Sequence, residues 1–96
     1  MEKQIKLFLE FLKNDKRLSE NTVQSYRIDI SQYENYLSHN KLNYSKVTND
    51  DIKEYLQVLQ NMNKKTSTIS RNLASIRSFY QFLLKNKLFM LIFTKF

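Results

Sequence analysis

Seven residues near the chain's end, Ser70, Arg71, Ala74, Ser75, Arg77, Ser78 and Gln81, fall with Lys85 on one side of a helical projection. At roughly 100° per residue they lie opposite an apolar stripe of Ile69, Leu73, Ile76, Tyr80 and Leu83, with Phe79 alongside. They are small, hydroxylic or basic, and none is acidic. A face shaped only by solubility would mix Glu with Lys and set opposite charges four apart. Small side chains allow close backbone approach, Ser and Thr donate to phosphate oxygens, Arg reaches phosphates or guanine edges, and Gln can read adenine. Just before this stretch, Lys64, Lys65, Thr66, Ser67 and Thr68 bring cations, hydroxyls and free backbone amides to a helix N-terminus, where phosphate is favoured. The expected chemistry is contact with a polyanion, double-stranded DNA first.

Charge placement points the same way. The 96 residues hold 16 Lys and Arg against 9 Asp and Glu, a net charge of +7. Up to Met62 the basic and acidic side chains cancel, and from Asn63 onward there is no acid, so the whole excess lies in the last third. Such one-sidedness favours nucleic acid over a membrane, because the basic residues and the apolar tail are sequential rather than sharing one amphipathic helix.

Catalytic and cofactor chemistry finds little footing. With no Cys, Gly or Pro there is no thiolate metal site, disulfide framework or Gly-rich phosphate loop. The single histidine, His39, falls in the polar stretch Ser38 to Lys41, and no nucleophile, base or metal constellation surrounds it. No catalytic residue, metal, cofactor, membrane or small-molecule substrate is expected.

The absence of glycine also argues against hairpins and leaves an all-α fold. Four segments carry apolar residues at spacings of three and four. The first has Ile5, Phe8, Leu9 and Leu12 and ends near Asn14, a residue that tolerates the left-handed conformation. Asn recurs at each later break. The second starts from Ser19 as N-cap and carries Val23, Tyr26, Ile30, Tyr33 and Leu37. In the third, Thr48 caps a first turn holding Asp50 and Asp51, and Ile52, Tyr55, Leu56, Leu59 and Met62 form the expected buried face. The fourth begins at Thr66 or Ser67 and ends near Asn86.

With these elements in place the chain resembles a known family. The strings RLSENTVQSYRIDISQYENYL (Arg17 to Leu37), VTNDDIKEYLQVL (Val47 to Leu59) and TSTISRNLASIRSFYQFLLKN (Thr66 to Asn86) are similar to the N-terminal core-binding domain of tyrosine site-specific recombinases, most of all the Xer-type and phage-integrase branch. The resemblance implies a compact four-helix orthogonal bundle of SAM-like type. It implies a domain that clamps one face of duplex DNA at a recombination half-site through its second and fourth helices, with other recombinase protomers as further partners on the DNA. Carried over by position, the second helix contributes Thr22, Ser25 and Arg27, and the fourth Thr68, Arg71, Ser75, Arg77 and Ser78. Two alternatives for single residues stay open: Arg27 as a snorkelling side chain beside Tyr26, and Arg77 paired with an acid of the third helix. The catalytic residues of that family lie in a separate domain, so no cleavage activity is expected of these 96 residues.

Residues 1–87 are read as the DNA-binding domain. The apolar tail Leu88 to Phe96 (LFMLIFTKF) is read as a truncated or out-of-frame linker, since it lacks linker chemistry and is too short to span a bilayer. The charged amphipathic start, MEKQIKLFLEFLKND, is not a signal peptide, and a cytoplasmic location is expected. Two other functions remain open: a free-standing DNA-binding regulator, and a helical protein-interaction module docking an acidic partner through the basic face of the fourth helix.

Overall fold

The computed structural model describes residues 1–86, in which the apolar spacing becomes four α-helices: α1 (Glu2–Asn14), α2 (Glu20–His39), α3 (Asn49–Asn61) and α4 (Thr66–Lys85). A 3-10 turn, Tyr44–Lys46, interrupts the connection between α2 and α3. The domain boundary at residue 87 and the tail Leu88 to Phe96 lie outside the described residues.

Local chemistry sets the helix starts. Ser19 accepts from the backbone N–H of Thr22 at 3.2 Å and so caps α2. Thr48 and Asp51 close a reciprocal capping box on α3, with Thr48 N–H donating to Asp51 Oδ2 at 3.0 Å and Asp51 N–H to Thr48 Oγ1 at 3.2 Å. By contrast, α4 starts behind Lys65, whose side chain makes no capping hydrogen bond.

The helix ends depart from the sequence expectation. Asn14, Asn40 and Asn86 are not the left-handed residues; those are Arg17 (φ 53°), Lys41 (φ 54°) and Asn63 (φ 62°). Asn40 and Asn86 serve instead as side-chain caps, each donating Nδ2 to the carbonyl four residues back at 2.8 Å. After α2 the N–H of Leu42 returns to the Leu37 carbonyl and that of Lys41 to Ser38, a Schellman closure, and Lys64 and Asn63 repeat it on Leu59 and Gln60 after α3. With no glycine available, Arg17 and Lys41 bear a Cβ where none is favoured. Lys41→Gly should therefore stabilise the domain by about 0.5–1 kcal/mol, and Arg17→Gly should act in the same direction. Urea denaturation of the two variants beside the parent checks this.

The buried residues make one core in which α4 touches all three other helices. Ile5, Phe8, Leu9 and Leu12 are all buried, as are Val23, Ile30, Tyr33 and Leu37 of α2, while Tyr26 is half-buried. Phe8 sits at the junction of three helices, with ring centroids 5.7 Å from Tyr26, 5.5 Å from Phe79 and 5.5 Å from Phe82. Met62 is a correction: it lies past the end of α3 in the cap position and is 59% exposed.

A tyrosine cluster fixes α4 against α2 and the α2–α3 connection. Tyr80 donates to the Tyr44 carbonyl at 2.7 Å, which leaves Tyr33 as donor in the 2.8 Å contact between the Tyr33 and Tyr80 hydroxyls. Burial holds both phenols well above their ordinary range and pushes Tyr55, packed edge-on against Tyr33, up to about 12.

Candidate nucleic-acid interface

The exposed side of α4 is organised by an acid on a different helix. Asp29 has no exposed surface, although its charge would be costly to bury alone. Arg71 answers it from 42 positions away, donating Nε to Oδ2 at 3.1 Å and Nη2 to Oδ1 at 2.9 Å. Ser75, one turn further along α4, donates to the same Oδ2 at 2.8 Å. These contacts are charge-assisted and bidentate, the geometry that most restricts a guanidinium. Hydrogen bonding to Asp29, and then its charge, raise the affinity of the Arg71 guanidinium for its proton; slight burial opposes them. The Arg71 side chain is still 51% exposed, so the ion pair sits at the rim of the core with one side open to solvent.

This geometry sorts the residues expected from sequence. Ser75 is a correction: it is 3% exposed and committed to Asp29, so it leaves the outer face of α4. Asn72 is also buried, and its amide donates back to the Thr68 carbonyl one turn earlier. Ile69 and Leu73, expected as core, are only half-buried on the opposite flank. What remains exposed on α4 is Ser70, Arg71, Ala74, Arg77, Gln81 and Lys85, with Ser78 half-buried beside them. Thr66 and Ser67 are exposed in the first turn, next to the exposed Lys64 and Lys65, and Thr68 is half-buried with its carbonyl accepting from Asn72.

On α2 the expected set divides. Thr22 is exposed and its Oγ1 accepts from Ser19 Oγ at 2.9 Å, while the half-buried Ser25 bonds back to the Asn21 carbonyl. Arg27 belongs to another surface. It lies about 200° around the helix from Asp29, and it lines a groove between α1 and α2 with Lys6, Ser31 and Glu34. There its Nε donates to Gln24 Oε1 at 3.2 Å. Arg27 is thus removed from the edge that α2 shares with Arg71, because that edge follows Asp29.

The open alternative for Arg77 can now be closed, since the pair between Arg71 and Asp29 is the one salt bridge among the described residues. Lys64, Lys65, Arg77 and Lys85 therefore stand on or beside α4 with uncompensated charge, and no acid follows Glu54. Among the described residues no cluster of His, Cys, Asp or Glu is placed to hold a metal ion, and no helix is long and apolar enough to cross a membrane.

Asp29 went unnoticed in the sequence although a signal was present. It stands three residues after Tyr26 and four before Tyr33, on the apolar stripe itself, where a carboxylate needs a partner.

The outer face of α4 is thus basic and free of acids, and comparison with known proteins gives the class to which the bundle belongs. Residues 5–87 match the family model described as phage integrase, N-terminal SAM-like domain, and the chain belongs to that family. Among curated proteins it is 42% identical over 80 residues to a tyrosine recombinase of Caldanaerobacter subterraneus subsp. tengcongensis, covering 83% of this chain and 28% of that protein. It is 39% identical over 90 residues to the tyrosine recombinase XerD of Oceanobacillus iheyensis, covering 92% of this chain and 30% of the relative. The tyrosine recombinase XerC of Herpetosiphon aurantiacus is 36% identical over 84 residues, 86% of this chain and 28% of its own. The chain thus spans less than a third of the length of these relatives. No solved structure gives a significant match.

Proposed function

We propose that this domain binds duplex DNA at a recombination half-site, laying the exposed face of α4 along the DNA with the neighbouring start of α2. Its task is to hold one side of the duplex, and the chemistry of strand exchange belongs to residues outside this region. The observation that carries the reading is the outer face of α4: cations and small hydroxylic side chains without an acid, continuous with Lys64 and Lys65 at an N-terminus that no side chain caps. Membership in a family whose curated members are named tyrosine recombinases supports it. The contact set is Thr22, Ser25, Lys64, Lys65, Thr66, Thr68, Arg71, Arg77 and Ser78, joined by Ser70, Gln81 and Lys85. Lys64 and Lys65 approach phosphates, and Arg71, Ser78 and Gln81 lie where groove edges come within reach.

The test is a fluorescence-anisotropy titration against random-sequence duplex, with backbone NMR shifts recorded on the same sample. Saturable binding is expected, with shifts concentrated at Thr22 to Ser25 and Lys64 to Lys85 and little change at Arg27. Arg77→Ala should weaken binding and make the salt slope shallower by about 0.9 if it meets one phosphate. Absence of binding at low salt by a folded sample would overturn the reading and favour docking of an acidic protein on the same face.

A further inference from the structure

A guanidinium has two edges that can each grip a pair of acceptors. In Arg71 the side edge, Nε with one Nη2 hydrogen, is used up by Asp29. The end edge, Nη1 with the second Nη2 hydrogen, meets no acceptor among the described residues, and half of the side chain is open to solvent. Asp29 is itself held by Ser75 through Oδ2 and has no exposed surface, so the base of this assembly cannot swing. An exposed arginine elsewhere on the surface would lose rotamer freedom on meeting DNA, whereas Arg71 has already lost it in the free protein.

We infer that Asp29 is a positioning residue, which presents the free end edge of Arg71 as a preformed two-donor fork to one acceptor pair on DNA. The pair is either the N7 and O6 of a guanine or two oxygens of one phosphate, both of which fit the fork. This inference rests on the DNA-binding reading above and adds the means by which one contact is made directional. Because Asp29 balances the charge of Arg71, the contact draws on hydrogen-bond geometry more than on Coulomb attraction.

The consequence has the opposite sign from simple electrostatics. Asp29→Asn deletes a negative charge from a protein that binds a polyanion, so charge alone predicts tighter binding. Positioning predicts weaker binding, by about fivefold or more, because the fork is no longer fixed. The experiment compares parent, Asp29→Asn, Arg71→Ala and the double variant for affinity to random-sequence duplex. NMR spectra of each establish that it is folded and follow the Arg71 Nε–Hε resonance. Expected are a protected Nε–Hε signal in the parent that is lost in Asp29→Asn with core backbone shifts retained, and a double variant no weaker than Arg71→Ala alone. Ser75→Ala, which removes one of the two donors to Oδ2 while leaving both charges and the Arg71 contacts in place, should weaken binding by about twofold and guards against loss of fold in Asp29→Asn. Arg71→Lys should fail to restore affinity, since an ammonium has no second edge.

Repeating the comparison on duplexes of only A·T pairs separates the two acceptors. A loss that persists there identifies phosphate, and a loss confined to G-containing duplex identifies guanine. Asp29→Asn or Ser75→Ala binding as tightly as the parent, or more tightly, overturns the positioning role while leaving the DNA-binding reading intact. Failure of the parent to bind removes both.

Discussion

Phe8→Ala should remove a large share of the stability of this domain. The ring is fully buried and meets Tyr26 of α2 and Phe79 and Phe82 of α4, so its loss opens a cavity where three helices join. Truncating a phenylalanine in such a place costs about 3–5 kcal/mol. A chain of this length has about 5–14 kcal/mol in total, so the loss takes from about a fifth of the stability to all of it. Urea denaturation followed by circular dichroism should show a transition midpoint lowered by about a fifth or more at an unchanged slope. Two controls come from α4. Ile76 has no exposed surface and its truncation should cost about 2–5 kcal/mol, whereas the half-buried Leu73 should cost clearly less. Equal losses at positions 73 and 76 would contradict the way α4 is seated.

Salt should control DNA binding steeply, and to an extent the free cations set. Lys64, Lys65, Arg77 and Lys85 lack an ionic partner among the described residues, whereas the charge of Arg71 is balanced by Asp29. If each of the four displaces one condensed counterion, the log–log slope of affinity against salt is about −3.6. Raising salt from about 50 to about 200 mM then weakens binding by about two orders of magnitude. The measurement is a series of anisotropy titrations across that range, with Arg71→Ala as the internal comparison. That variant should lose affinity while keeping nearly the parent slope if Arg71 meets a base. A parent slope shallower than about −1 would mean that the α4 face does not lie on the phosphate backbone.

How far these expectations could be written from sequence follows from what a helical projection contains. The stripes from Ile5 to Leu12 and from Val23 to Leu37 gave the buried faces of α1 and α2, and Ser19 and Thr48 gave two helix starts, because each is decided within a few residues of chain. The left-handed positions escaped the same reasoning. Asn was the reasonable bearer by intrinsic preference, but the backbone closure at each helix end set the position, a Schellman pair after α2 and α3 and a Leu18 N–H to Leu12 carbonyl bond after α1, and at Arg17 and Lys41 the chain accepted a less suited residue.

By itself, then, the sequence determined the all-α class, the four helices, most of the core and the segregation of excess positive charge into the last third, all properties of periodicity and composition. Only the tertiary structure decided which polar residues at the border of a stripe are buried and which face outward. Periodicity gives an angle about a helix's own axis and says nothing of which neighbour stands at that angle. Asp29 could be buried only because Arg71 and Ser75 arrive from α4, more than 40 positions away. The same packing withdrew Ser75 from the surface and left Arg27 in the groove against α1. It also turned Arg71 from one cation among several into a guanidinium with one edge held and the other free.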